Sequence, residues 1–474
     1  MQQYLEVLRT TLDHGHKKGD RTNTGTTAFF GMQKRFWLHK AFKPILPTVT
    51  TKFIHLDSVI HELIWMLSGD TRLEYLIANG VRIWNEWVLK GTEVYRDLTY
   101  EETEKAILKF VGGKHHVTFH AIEDRPGAEI THVNDYFDRF KVTPPNLDEG
   151  VELILSVNTR CYGKYRDEVE HLDYSAQYMY IIHSMLIGKP QKLIGGDLGP
   201  VYGKTWRDID DTRIIPKLDW YKFERRGFTF VVDLPGTDME SDRCVITRKV
   251  DQLKEVLHLL EHEPDSRRMI ICAWDPRLIE DQALPPCHAF IQFFTRELSP
   301  QERVDWLDAD TTDQEAKALE QGIVTRGKPP YETVDSFKRH MALWHPKVEM
   351  TDDWIHNRLD QAGVPRRAIS CMLTQRSADE FLGVPFNISF YSVMTHILAK
   401  QFNMVAEEFI WSGGDCHIYS NHMDQVDLQL TREPYETPYL DILPETLDIR
   451  EVKREDIVVH YENYHPHIAG KVAV

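Results

Sequence analysis

Broad positive charge is the first thing this chain lacks. Its 56 Lys and Arg are outnumbered by 73 Asp and Glu, for a formal net charge of −17. General affinity for nucleic acid or for an anionic membrane needs an extended positive surface, and this balance argues against both. A small anionic substrate held by a few focused arginines stays open. Long apolar runs are missing too, since no stretch approaches the roughly 20 consecutive apolar residues of a membrane helix. The opening MQQYLEVLRTTLDHG has no basic-then-apolar layout of the signal-peptide kind, so a cytoplasmic protein is expected. Cysteine is scarce: Cys161, Cys244, Cys272, Cys287, Cys371 and Cys416 form no C-x-x-C pair. A chain of 474 residues does not depend on disulfide staples, and free thiols in a reducing compartment are the simplest reading. Internal repeats and low-complexity tracts are absent. The histidine group His115, His116 and His120 has no metal-ligand spacing, and no metal is expected.

Apolar residues make up 42% of the chain and aromatics 11%, enough to bury a sizeable core in one large domain or two to three ordinary ones. Leu5, Leu8 and Leu12 recur at helical spacing up to Gly15, and a turn-rich loop, DRTNTGT (20–26), follows. A strand-like run around Phe29, Phe30 and Phe36 comes next. The segment LDSVIHELIWMLSGD (56–70) reads as a helix, with Asp57 or Ser58 as the capping candidate and Gly69 as the stop. It is apolar on nearly every side, which predicts burial, yet it carries His61 and Glu62. A buried carboxylate must be paired or must hold a proton at raised pKa, which leaves a structural hydrogen bond and a proton-handling acid both open. Residues 88–196, 208–261 and 295–373 are charged or mixed and read as folded elaborations on a core. Denser pieces lie between them. RRMIICAW (267–274) and HAFIQFF (288–294) read as buried strands, FLGVPFNISFYSVMTHILAKQFN (381–403) as a strand or loop leading into a helix, and EFIWSGGDCHIYSNH (408–422) as a Gly-Gly turn followed by polar groups.

The chemistry-bearing residues fall in these dense pieces. In ALPPCHAF (283–290) two prolines fix the backbone before Cys287. A cysteine attacks as thiolate, which needs positive charge or a base nearby to lower a pKa of about 8.5. Pro-Cys-His alone suggests a cysteine hydrolase only weakly, because neighbours on a strand face opposite ways and His288 is poorly placed as the base. The arginines are more telling: Arg267 and Arg268 in PDSRR, Arg376 in TQRSAD, and Arg21 in the DRTNTG loop. Converging guanidinium forks suit a phosphomonoester, and one beside Cys287 would favour the thiolate.

DRTNTGT, LPTVTTK, IHELIWMLSGDT, IWNEW, DLGPVYGKTWR, PDSRR, LPPCHAF, QRSADEFLGVPFNIS and GGDCHIYSNHMDQ together resemble, in order and wording, the thymidylate synthase family. The resemblance implies an α/β (α+β) fold: one domain over 1–474, built on a large twisted mixed sheet flanked by helices. It implies a homodimer with the sheets of two subunits packed together and with inserted subdomains at 88–196, 208–261 and 295–373, the first helical and near the folate entrance. It implies transfer of a one-carbon unit from 5,10-methylenetetrahydrofolate, a co-substrate, to carbon 5 of dUMP, with no metal. Cys287 would attack carbon 6 of the uracil, and Arg376, Ser377, Arg21, Arg267 and Arg268 would bind the phosphate. The Arg267–Arg268 pair would come from the other subunit. Asn387 would bond the pyrimidine edge, favouring dUMP over dCMP, and His417 and Tyr419 the deoxyribose hydroxyl. Glu62, Tyr202 and a water network would move protons. Lys52, Trp84, Trp87, Leu284, Asp379, Gly383, Phe386 and Ala473 match folate-facing positions, Ala473 in the tail Val472–Val474 that closes over the folate.

Two positions depart from the pattern. Where the family usually has an arginine that helps hold the closed tail, this chain has Phe53, and where a basic residue is common near the folate tail it has Asp57. Water exclusion decides the product of this chemistry. A sealed site gives dTMP and dihydrofolate; an open one gives 5-hydroxymethyl-dUMP and tetrahydrofolate, so dUMP hydroxymethylation is the alternative activity. A relative that binds nucleotide or RNA without turnover is disfavoured by the filled catalytic positions and the net charge.

Overall fold

The computed structural model describes residues 1–99, 189–236, 242–320, 333–444 and 447–472, with short pieces between (101–103, 105–106, 137–142, 153–158, 166–169, 171–172, 180 and 183–184). Two compact units emerge, one of residues 1–89 with 197–474 and one of residues 90–196.

The larger unit is organised by a six-stranded sheet. Its strands, in chain order, are β1 (His16–Lys18), β2 (Thr26–Trp37), β3 (Ile270–Cys272), β4 (His288–Glu297), β5 (Arg367–Asp379) and β6 (Met404–Tyr419). The spatial order is β1-β2-β6-β5-β4-β3. Only β5 and β6 run parallel, so the sheet is mixed. Alternation along the strands sets its two faces. Phe36, Ile291, Phe293, Leu373, Phe409 and Trp411 are buried in one continuous core, while Trp37 and Phe294 are 56% and 61% exposed.

Helices cover the buried face. Helix α1 (Gln2–His14) lays Tyr4, Leu5, Val7, Leu8 and Thr11 against β2. Helix α2 (Leu56–Ser68) ends at Gly69 with φ of +83°, the left-handed stop that glycine adopts without Cβ strain. Its start corrects the sequence expectation, because the cap is neither Asp57 nor Ser58. The His55 ring accepts from the Ser58 N–H at 3.3 Å, a job imidazole seldom takes in capping preferences. Helix α3 (Tyr202–Arg207) and helix α4 (Gln252–His262) join the same core. Helix α5 (Gly383–Gln401) is buried on every side and packs on β5 and β6, as its all-round apolar sequence demands.

A second correction concerns Gly413–Gly414, which make no turn. They lie inside β6, with Gly413 paired to Met32 on one side and Gln375 on the other. A Cβ on Gly413 would sit 2.4 Å from the Cys416 Sγ and 2.6 Å from the Trp411 ring, so the glycine is there for close packing.

Outside this core, residues 209–216, 229–234 and 243–250 form a three-stranded sheet over Ile215, Phe228, Cys244 and Ile246. Helices Pro300–Glu320, Val334–Trp344 and Asp352–Gln361 gather around Val304, Phe337, Ile355, Leu359 and Val364. The unit of residues 90–196 pairs Val94–Asp97 with Gln191–Gly195 and Phe137–Val142 with Leu153–Asn158. Its described residues thus hold β-ribbons as well as short helix, where a helical subdomain is expected. The histidines 115, 116 and 120 and Cys161 lie outside the described residues.

Candidate active site

Cys287 follows the irregular Pro285–Pro286 stretch, one residue before β4 begins, and Arg376 of β5 holds it there. The Arg376 N–H donates to the Cys287 carbonyl at 2.9 Å. Its guanidinium donates to the Pro286 carbonyl at 2.9 Å and to the Pro285 carbonyl at 2.7 Å, and stacks 5.2 Å over the Trp274 ring. Thiol and guanidinium are therefore fixed in one patch. Burial pushes the Cys287 thiol up; the Arg376 charge pulls it back and Asp379 opposes that pull. His288 turns the other way, as strand alternation requires. Its Nδ1 meets the Tyr391 hydroxyl at 3.0 Å, and burial drops it to about 4, with Asn387 opposing, so it stays neutral.

Tyr202 comes in from α3. Its hydroxyl accepts the Cys287 N–H at 2.8 Å and lies 3.4 Å from the His288 N–H, leaving its own proton unspent on either contact. Burial raises its pKa well above the phenol range, reinforced by the nearby Cys287 and Glu62 charges. Glu62, on the buried face of α2, accepts the Trp84 indole N–H at 2.8 Å. Burial pushes its carboxyl up to about 7 against that hydrogen bond. Glu62 is therefore hydrogen-bonded to Trp84, while burial favours its protonated form. Trp84 closes the cluster with its ring 6.0 Å from that of Tyr202.

Asn387, in the first turns of α5, is 7% exposed and its Oδ1 is buried without a hydrogen-bond partner among the described residues. Such an orphaned acceptor costs roughly 1–3 kcal/mol unless a ligand donor fills it. Asp379 Oδ1 accepts the N–H groups of Phe381 and Leu382, both at 3.0 Å, shaping the turn into Gly383 and α5. His417 lies across the parallel ladder from Asp379, buried, with Nδ1 3.2 Å from the Asp415 carbonyl. Tyr419 follows two residues on; burial raises its phenol, Asp379, Asp20 and Cys287 add to the rise, and Arg21 opposes it. Arg21 rides on a loop folded around the Asp20 carboxylate, which accepts the Thr22 and Gly25 N–H groups, and its guanidinium lies 5.5 Å over Trp87. Ser377 sits next to Arg376 on β5, facing Asp415.

Lys52 is buried, with Nζ bonded to the Phe381 carbonyl and 3.6 Å above the Phe381 ring. Burial lowers it to about 7, with Asp379 opposing. Trp87, Leu284 and Phe386 pack half-buried against the same core. Ala473 lies outside the described residues; the tail is described to Val472.

Arg267 and Arg268 are not brought to Cys287. Both are exposed, Arg268 pairing with Glu263 at 3.2 Å. They precede β3, whose Ile270 pairs with Gln292, so they run alongside the far end of β4. Six residues of strand at about 3.4 Å each put that end roughly 20 Å from Cys287.

Trp274 under Arg376, and Tyr391 against His288, escaped the sequence reading. Tyr391 lies four residues after Asn387 on one helix, a spacing that could have flagged it. Among the described residues no group of three or more His, Cys, Asp or Glu side chains is placed to hold a metal ion. No helix of the described residues is long and apolar enough to cross a membrane.

The sequence model of one protein family, described as thymidylate synthase, matches residues 2–307 and 338–474. A protein named thymidylate synthase from Francisella philomiragia subsp. philomiragia is 30% identical over 487 aligned positions that cover all of both chains. Another of that name, from Francisella tularensis subsp. holarctica, is 28% identical over the same span.

Proposed function

The chain belongs to the thymidylate synthase family, and on that premise we propose that it methylates dUMP at carbon 5 to give dTMP through a covalent bond to Cys287. The observation that carries this reading is the convergence of Cys287, Arg376 and Tyr202 where β4, β5 and α3 meet, with Asn387 of α5 beside His288. Methylenetetrahydrofolate is the co-substrate; it supplies the one-carbon unit and then the hydride, leaving as dihydrofolate.

The residues divide the work. Arg376, Ser377 and Arg21 bind the phosphate together with Arg267 and Arg268 of a second copy of the chain. A homodimer is supported by the uncovered sheet face that exposes Trp37 and Phe294, and by the distance of the arginine pair from its own Cys287. The orphaned Oδ1 of Asn387 accepts the ring N–H of uracil, while its amide N–H suits the uracil carbonyl. His417 and Tyr419 take the deoxyribose hydroxyl. Cys287 gives up its proton and its sulfur bonds carbon 6, which turns carbon 5 into an enolate-like nucleophile and divides one hard step into easier ones. Once carbon 5 carries the one-carbon unit, its proton leaves through Tyr202, Glu62 and water, Glu62 being poised by its value of about 7. Loss of that proton expels tetrahydrofolate and leaves an exocyclic methylene; hydride from the tetrahydrofolate reduces it as the Cys287 sulfur leaves carbon 6, giving dTMP and dihydrofolate. Lys52, Trp84, Trp87, Leu284, Asp379, Gly383 and Phe386 face the folate, and Ala473 belongs to the closing tail. The aromatic and aliphatic members suit a flat apolar ring system.

We read 1–474 as one family domain carrying insertions at 88–196, 208–261 and 295–373, in a cytoplasmic enzyme. Hydroxymethylation is not favoured, since both relatives bear the synthase name. The test is to incubate the protein with dUMP and methylenetetrahydrofolate and to identify the nucleotide by mass. Production of dTMP with dihydrofolate, falling at least about a thousandfold in Cys287→Ser, is expected. Exclusive 5-hydroxymethyl-dUMP, or dTMP from Cys287→Ser at the wild-type rate, would overturn the reading.

A further inference from the structure

Phe53 occupies the position where a tail-holding arginine is usual, and the structure shows what its ring does instead. It packs on two rings of the C-terminal segment, Tyr464 at 4.9 Å and Tyr461 at 6.2 Å, and those two lie 4.8 Å from each other. The Tyr461 hydroxyl accepts the Ile54 N–H at 3.2 Å and is within donating distance of the Val49 carbonyl (2.9 Å) and the Lys52 carbonyl (3.2 Å). One residue past Tyr464, the His465 N–H donates to the Thr50 carbonyl at 2.8 Å. The loop 49–54 and the segment 461–465 are therefore stitched together on both sides of Lys52. Beyond the stitch the chain runs to Lys471, whose carbonyl accepts from His422 at 2.9 Å. Gly470 packs so closely that a Cβ would lie 2.7 Å from the Phe381 ring, the ring that carries the Lys52 ammonium.

We propose that Phe53, Tyr461 and Tyr464 are positioning residues, an aromatic clasp that seats the C-terminal segment, aims Lys52 and keeps water from the reacting carbon. This rests on the proposed methylation of dUMP and adds to it which residues seal the site. Ring stacking needs no charge partner and is insensitive to salt, so the clasp replaces an ionic fastening with one that survives high ionic strength. It also answers the departure at position 53: the lost positive charge leaves no gap, because the ring fills it. Asp57, the other departure, is held by Arg454, whose guanidinium Nε lies 2.7 Å from its Oδ1.

The test compares Phe53→Ala with Phe53→Tyr, which keeps the ring, by two readouts. Amide hydrogen exchange of 462–471 should quicken about tenfold in Phe53→Ala, the loss of two ring contacts, and return toward wild type in Phe53→Tyr. In turnover, Phe53→Ala should raise KM for the folate about tenfold with KM for dUMP nearly unchanged, and a measurable share of product should shift to 5-hydroxymethyl-dUMP. Unchanged exchange in Phe53→Ala overturns the clasp. Faster exchange with an unchanged product ratio and folate KM overturns its sealing role. A wild-type protein that makes no dTMP would sink the parent reading instead, while the exchange measurement would still decide the clasp.

Discussion

Glu380 shows at the scale of one residue how burial sets chemistry in this molecule. It follows Asp379 at the end of β5 and is fully buried. Thr11 of α1 donates to its Oε1 at 2.5 Å, and its Oε2 has no partner. Burial pushes its carboxyl up to about 8, with Thr11 opposing and Asp379 adding to the rise; Tyr4 and Cys416 also face it. The folded chain therefore holds a proton that the unfolded chain releases near 4.5. Its contribution to stability is complete below that point and is lost as pH climbs through about 8. Glu380→Gln should accordingly lose less Tm than wild type between pH 5 and pH 8, by at least ~2 °C in a thermal melt series. Parallel curves would contradict the assignment. Residue-scale chemistry was legible in sequence where a polar group broke an apolar run, as Glu62 does in α2. Glu380 gave no such signal, because it lies in the mixed string RSADEF and its burial depends on α1, some 370 positions away.

Among the elements, β6 is the instructive one. Gly-Gly usually punctuates a chain, and the expectation of a turn at 413–414 followed from that local rule. The ladder overrides it, since β6 is flanked by β2 and β5 and the glycines make room for Trp411 and Cys416. Gly413→Ala should then cost ~1–3 kcal/mol, read as a lower urea midpoint at unchanged slope. A midpoint equal to wild type would show that the neighbours give way freely. Helices α1, α2 and α5 were readable because each carries its own 3.6-residue pattern or an all-round apolar run. The His55 cap was not, being a choice of one side-chain rotamer over the residues that usually cap.

For the whole molecule, the decisive fact is where Arg267 and Arg268 lie. Their sequence neighbourhood resembles a phosphate site, yet strand register carries them to the far end of β4 from Cys287. Within one chain the thiol and the arginine pair lie roughly 20 Å apart, and Phe294 on the sheet is 61% exposed. Motif order made the family legible, whereas the three-stranded sheet of 209–250 and the helices of 300–361 could be seen only as charged segments, since each closes its own small core through contacts that no local pattern announces. The central claim is that one-carbon transfer occurs at sites built from two chains, with the thiol from one and the arginine pair from the other. It is tested by co-expressing Cys287→Ser with the double variant Arg267→Ala/Arg268→Ala, each inactive alone, and measuring dTMP formation. Random pairing makes half the dimers mixed, each with one intact site, so about a quarter of wild-type activity should return. Activity no greater than the sum of the two variants alone would contradict the account.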